Sequence, residues 1–432
     1  LSKKVYDIKE VPPVREFVPL SLQHVFAMFG ATVLVPLLTG LDPSVTLFTS
    51  GLGTLIFHLV TRGYVPAYLG SSFAFITPII VATKEFGLKG AYTGMLAAGL
   101  LYVLVYIIIS ITGVDWIDKI LPPVVVGPVV MIIGLSLAPV AVQQAQENVL
   151  VAAVTALFII IFAIFGRGFL KIIPILLGTM CGYVFAMLIG IVNFKPVREA
   201  AWIALPKFNF LSGHSPELVW GAVSLIAPLA IVSMVEDLGH VLVIGNIVER
   251  DLIKKPGIHT VFLGNGLATA VAALFGGPPS TTYGENIGVL AITKVYSSAV
   301  IEGAAVIAIL LSFVQKIGAA IEVIPKPVMG GITIILFGMI AAAGLRTLID
   351  NKIDFSDTRN LLIASIIFTL GVGGIKFNIG NLVFQGVGPA TIIGILLNLL
   401  LPKSTNEEEK GEKKYPSLEI SYPEENIRKK EE

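Results

Sequence analysis

The sequence predicts an all-α polytopic membrane protein: fourteen transmembrane segments in two inverted repeats of seven, with segments 3 and 10 interrupted by short extended strands. Three observations predict it. Of 432 residues, 55% are apolar and only 14% charged, where a soluble chain carries about a quarter of its residues as charges; mean hydropathy is +0.86. The apolar residues fall in long runs, and Val103 to Ile111, Ile159 to Phe165 and Ile392 to Leu401 hold no charge. An internal repeat is also visible. Pro123-Val124 precedes Gly127 and Gly134, and Pro327-Val328 precedes Gly331 and Gly338 at the same spacing.

A helix needs roughly 20 apolar residues to cross a bilayer. On that measure the segments lie near 17–39, 43–62, 71–84, 90–113, 122–141, 149–166, 169–192, 217–243, 254–275, 284–296, 299–319, 325–346, 358–376 and 383–402. The start of the chain is charged and contains prolines, and the apolar stretch after it runs on as a full span, so no cleavable signal peptide is expected. The third and tenth segments are too short to cross as helices alone. Both follow small polar runs, Gly70-Ser71-Ser72 and Ser280-Thr281-Thr282. Irregular backbone at membrane depth survives only where protein or a water-filled cavity satisfies its polar groups, so these two places are the candidate site. Phe73 and Tyr283 each follow a Ser/Thr pair, which extends the repeat. With seven spans per half, the second half enters the membrane upside down, a common plan among transporters.

Loop charge orients the chain. A cytoplasmic N-terminus places Arg62, Lys119, Arg167, Lys171, Arg250, Lys254, Lys255, Arg346, Lys352 and Arg359 inside, together with Lys3, Lys4, Lys9 and Arg15. That bias has the sign of the positive-inside rule. Both termini are then cytoplasmic, and the Lys- and Glu-rich tail from Lys403 is expected to be solvated. A formal net charge of +1 gives no basic face for nucleic acid. The one cysteine, Cys181, cannot form an intramolecular disulfide, and no metal site is expected. Neither HExxH nor a Ser/His/Asp set is present, which argues against an enzyme.

Ionisable residues inside spans tend to mark function. Glu236, Asp237 and His240 fall in the eighth segment. Glu236 and His240 are four apart and share a helix face, where a carboxylate and an imidazole can hold a shared proton. Asp237 points elsewhere and is given no role. In Thr281-Thr282-Tyr283-Gly284-Glu285-Asn286-Ile287-Gly288, a half-helix would offer free N–H groups to a ligand carbonyl, and Glu285 would accept from ligand N–H groups. A flat heterocycle such as uracil matches those partners. Phe73 and Tyr283 are placed to stack on its ring. His58 and His259 read as peripheral, and His214 falls in an external loop.

The chain resembles the nucleobase–ascorbate (nucleobase–cation symporter 2) transporters, and among them the bacterial uracil carriers. The likeness covers roughly residues 12–402 and includes PLSLQHVFAMFGATVLVP at 19–36, PAYLGSSFAFITP at 66–78 and TTYGENIGVLAITKVYS at 281–297. The family signature falls on Glu285, Asn286, Gly288 and Thr293, and the Gln-His pair of the first span on Gln23 and His24. The resemblance implies that Glu236 bonds the base and takes part in proton coupling, that His240 supports it, and that Glu285 binds the base directly. It implies that backbone amides at Phe73 and Gly284 meet the ring carbonyls and that Tyr283 lines the pocket. Gln23, His24, Ser72, Asn286 and Thr293 are supporting positions. A glutamate at the first signature position is similar to the uracil carriers; the purine/xanthine carriers more typically have glutamine there.

The implied architecture is a cytoplasmic N-terminus (1–16), a core domain (17–114 and 217–320), a gate domain (115–192 and 321–402), an external loop (193–216) and a charged cytoplasmic tail (403–432). The expectation is a homodimer through the gate domain, embedded in the lipid of the bacterial cytoplasmic membrane. It would carry no cofactor beyond the coupling proton and would import uracil by alternating access. The alternatives are a purine/xanthine-type carrier of the same family and an anion transporter of the same fold.

Overall fold

The computed structural model describes residues 6–113, 116–209 and 216–402. The charged tail, Lys3, Lys4 and His214 lie outside the described residues. Span 1 is Val14–Thr39 and span 2 Pro43–Val60, capped by Asp42, whose carboxylate accepts from the N–H groups of Ser44 and Val45. Strand β1 (Leu69–Ser71) and one turn of 3₁₀ helix (Phe73–Phe75) lead into the helix Ile76–Thr112. Gly87, at φ 74° and ψ 169°, breaks that helix into a half-length span 3 and a full span 4. Spans 5, 6 and 7 are Pro123–Gln146, Val149–Phe165 and Pro174–Leu188.

Span 8 has two pieces, Pro216–Ile226 and Leu229–Val248, and span 9 is Ile258–Phe275. Strand β2 (Ser280–Thr282) then enters the ten-residue half-helix of span 10, Gly284–Thr293. Span 11 (Ser298–Ser312) stops short of the expected 299–319, because the chain turns by 81° into a separate helix, Gln315–Glu322. Spans 12, 13 and 14 are Lys326–Asp350, Thr358–Val372 and Val387–Leu400. Strands β3 (Lys376–Ile379) and β4 (Leu382–Gln385) form a hairpin in what reads as the ends of segments 13 and 14.

The two interrupted segments meet. β1 and β2 pair antiparallel, Leu69 opposite Thr282, Gly70 opposite Thr281 and Ser71 opposite Ser280, and all six residues are buried. Each strand supplies the other with backbone partners where lipid offers none. Half-helices of about ten residues, roughly 15 Å long, complete the two crossings to opposite faces, which is the inverted repeat in its simplest form.

Helix contacts fall into two groups. Span 4 packs on spans 8 and 9, span 2 on spans 9 and 11, and span 1 on span 11; separately, span 12 packs on spans 5 and 6, span 6 on span 7, and span 13 on spans 5 and 14. With no hydrophobic drive between helices in lipid, small residues that permit close approach carry such contacts. The repeated glycines show this unequally. A Cβ on Gly134 would sit 2.4 Å from the carbonyl oxygen of Phe337, whereas one on its counterpart Gly338 would meet nothing within 4 Å. Gly134→Val is therefore expected to lower the melting temperature of the detergent-purified protein by several degrees, overpacking costing about 1–3 kcal/mol, while Gly338→Ala leaves it nearly unchanged. Equal shifts in a thermal-unfolding assay would contradict that packing.

The charged start of the chain is built into the fold. Tyr6 bridges to Val295, the N–H groups of Tyr296 and Ser298 donate to Tyr6 and Ile8, and Arg250 donates to Asp7 at 2.7 Å. Ile8 is 1% exposed. Residues 6–10 thus strap together the ends of spans 2, 8, 10 and 11. His58 belongs to the same end and is buried, contrary to its peripheral reading: its ring meets Glu302 at 3.1 Å and the Ala67 carbonyl at 2.9 Å.

Candidate functional site

The site forms where the long helix of span 8 passes the β2–half-helix junction of span 10. Glu236 is exposed although it stands midway along an apolar helix, and Gly239 and Gly284 are exposed with it. A Cβ on Gly239 would meet nothing within 4 Å. The helix that carries Glu236 packs on the half-helix that carries Glu285. His240, Glu285 and Phe73 are half-buried. His240 Nε2 lies 3.4 Å from where a Gly284 Cβ would stand. Among the described residues, the N–H groups of Phe73 and Gly284 have no hydrogen-bond acceptor. Two carboxylates, an imidazole and two open N–H donors thus sit on elements that pack together at this junction.

Span 1 braces this arrangement. Asn286 Nδ2 donates to Nδ1 and to the carbonyl oxygen of His24, both at 3.1 Å, which ties the half-helix to span 1. His24 is thereby a packing partner inside the protein. Gln23 Oε1, Ser72 Oγ and Asn286 Oδ1 are buried without partners, so each keeps acceptor capacity for a water or a ligand.

Two expected positions lie elsewhere. The ring of Tyr283 is 3% exposed and packed on Gly70. Its hydroxyl donates to the Ser71 carbonyl at 3.1 Å and accepts from Thr32 at 3.3 Å. Those contacts lock the ring into the strand crossing. Thr293 closes its hydroxyl on the Val289 carbonyl at 2.8 Å, roughly 14 Å along the half-helix from Gly284. It finishes span 10 and does not reach the junction.

Asp237, left without a role on sequence grounds, is the most heavily bonded side chain here. It is 0% exposed. Oδ1 accepts from Thr281 Oγ1 (3.1 Å), Thr282 N (3.0 Å) and Thr282 Oγ1 (2.9 Å), and Oδ2 accepts from Tyr102 Oη (2.8 Å) and Asn265 Nδ2 (2.5 Å). One carboxylate thus fastens β2 to spans 4, 8 and 9. The signal that finds it is general: a charge in an apolar span persists only if fully hydrogen-bonded. His240 shares in this network through Nδ1, 2.9 Å from Thr282 Oγ1, rather than through Glu236.

Comparison with known proteins shows the family and the fold. The chain is similar to the uracil permease of Bacillus subtilis (strain 168), 49% identical, covering 94% of this chain and 98% of that one. It is similar to the uracil permease of Bacillus caldolyticus, 51% identical over 93% and 96%. The murine Slc26a9 anion transporter in its inward-facing state superposes with a TM-score of 0.68 at 13% identity, over 91% of this chain and 69% of that one; that likeness is one of fold alone. Residues 15–379 match the family described as "Permease family" (Xan_ur_permease), and the chain belongs to that permease family.

Proposed function

We propose that this protein imports uracil, or a close nucleobase, across the bacterial cytoplasmic membrane by proton symport. The observation that carries the reading is the mid-span junction of spans 8 and 10, where the exposed Glu236 and the half-buried Glu285 lie on packed helices beside the open N–H groups of Phe73 and Gly284. Uracil alternates C=O and N–H groups around one planar ring. The carboxylates accept from its N–H groups, the backbone donors meet its carbonyls, and Phe73 covers a face. Glu236, with His240 one turn on, takes the coupling proton. Uracil is neutral near pH 7, so accumulation needs a co-transported cation.

Spans 1–4 and 8–11 move as a core against a gate of spans 5–7 and 12–14, with both termini cytoplasmic and a homodimer formed through the gate in the lipid. An unprotonated Glu236 makes closure of a dry cavity expensive; protonation together with the base removes that penalty. An anion substrate fits less well. At ~4 Å from one carboxylate it would meet about 4 kcal/mol of repulsion at an effective dielectric of 20, and here Glu236 and Glu285 lie on helices packed together.

Uptake of radiolabelled uracil into proteoliposomes tests the reading. Unlabelled uracil should compete and sulfate or bicarbonate should not; competition by the anions alone would overturn it. Glu285→Gln should weaken uracil binding roughly ten- to a hundredfold, as expected for losing a hydrogen bond to a charged group. Calorimetric affinity equal to the parent protein would remove Glu285 from the site.

A further inference from the structure

The hydrogen bonds of Thr282 decide which nitrogen of His240 carries its proton. Asp237 is acceptor-only, and its two oxygens have about four lone-pair sites. Five donors already converge on them, two of which, the Thr282 main-chain N–H and the Asn265 amide, donate in any protonation state. The Thr282 hydroxyl has a single proton, and it lies 2.9 Å from Asp237 Oδ1. A bond to a carboxylate is roughly twice as strong as one to a neutral acceptor, so that proton goes to Asp237. Thr282 Oγ1 is left with lone pairs toward His240 Nδ1, also at 2.9 Å. Nδ1 must donate, since two facing lone pairs would repel.

We propose that Asp237 and Thr282 are a positioning relay that fixes His240 as the Nδ1–H tautomer, leaving a bare Nε2 toward the cavity beside Gly284. The bond made by one ring nitrogen sets the chemistry of the other. A proton arriving at Nε2 then leaves the Nδ1 bond and β2 undisturbed, so proton uptake becomes an event at one atom facing the substrate space. The relay rests on the proton-coupled reading above only for its purpose; the tautomer stands on the bonding alone. The titratable groups facing His240 and its relay are Glu236 on its own helix, Asp237 behind Thr282 with Tyr102 of span 4 bonded to it, Tyr283 and Glu285 on span 10, and His24 behind Asn286.

The test is NMR of protein labelled with ¹⁵N-imidazole histidine in lipid nanodiscs, with His240→Gln identifying the His240 signals. Nδ1 should be protonated and Nε2 bare in the parent protein and in Thr282→Ser. Thr282→Val keeps the shape and removes the hydroxyl, and should shift the tautomer balance and weaken uracil binding about tenfold relative to Thr282→Ser. A parent protein protonated at Nε2, or a Thr282→Val protein with unchanged tautomer, overturns the relay. If Thr282→Val fails to fold, the parent spectrum alone decides. The expected tautomer in a protein that does not bind uracil would keep the relay and sink the substrate reading.

Discussion

Glu236→Gln is expected to abolish accumulation of uracil against a gradient while leaving downhill exchange measurable. Glu236 is exposed in the middle of an apolar helix that packs on the half-helix carrying Glu285. In that place ionisation is the property that links cavity closure to a proton. Glutamine has the shape and hydrogen-bonding reach of the protonated acid but cannot change charge. One proton per base across two pH units stores about 2.7 kcal/mol, at 1.36 kcal/mol per unit, which supports roughly hundredfold accumulation. In proteoliposomes the parent protein should approach that ratio, and Glu236→Gln should settle near equal concentrations on both sides. Accumulation that still follows the pH gradient in the variant would exclude Glu236 as the coupling group. Loss of counterflow as well would point to a binding role without coupling.

The fold was legible where membrane physics leaves few choices. Charge-free runs announce spans, and Gly70-Ser71-Ser72 and Ser280-Thr281-Thr282 announce an interruption, because polar backbone at that depth must find protein partners; it does so in β1 and β2. What escaped was small or non-local. The hairpin Lys376–Ile379/Leu382–Gln385 carries a two-residue Gly380-Asn381 turn, a recognisable signal, yet it is submerged in the apolar average of its neighbours. The strap at residues 6–10 looks solvated because Asp7, Lys9 and Glu10 are charged. Its partners, Arg250 and Tyr296 to Ser298, lie about 240 to 290 positions away.

At the candidate site, Glu236 and Glu285 stand out in the sequence because each is a charge in an apolar run. Asp237 could not be assigned a role. Its position on the helix turns it away from Glu236, and its meaning lies in Tyr102, Asn265, Thr281 and Thr282, which arrive from three other segments. Tyr283 misled for the opposite reason. An aromatic beside a polar run suggests stacking on a ligand, but the missing side chain at Gly70 gave its ring a slot inside the protein.

That slot makes Gly70→Ala a severely disruptive substitution. The added Cβ would lie 2.2 Å from Cζ and 2.3 Å from Cε2 of Tyr283, distances no packing tolerates. The ring has no freedom to yield, since its hydroxyl is bonded to Ser71 and Thr32 and the residue is buried. Either the ring leaves, stranding those polar partners at about 1–3 kcal/mol each, or β1 and β2 separate and the half-helix carrying Gly284 and Glu285 loses its register. Both routes destroy the cavity, so Gly70→Ala should eliminate uracil binding and lower the melting temperature well beyond the effect of an ordinary alanine substitution. A double-mutant cycle isolates the cause. In a Tyr283→Ala background the clash has no second atom, and Gly70→Ala should add little further loss of stability. If Gly70→Ala is as damaging with Tyr283 absent as with it present, the ring is not what requires glycine at position 70, and the strand crossing must depend on some other feature of that residue.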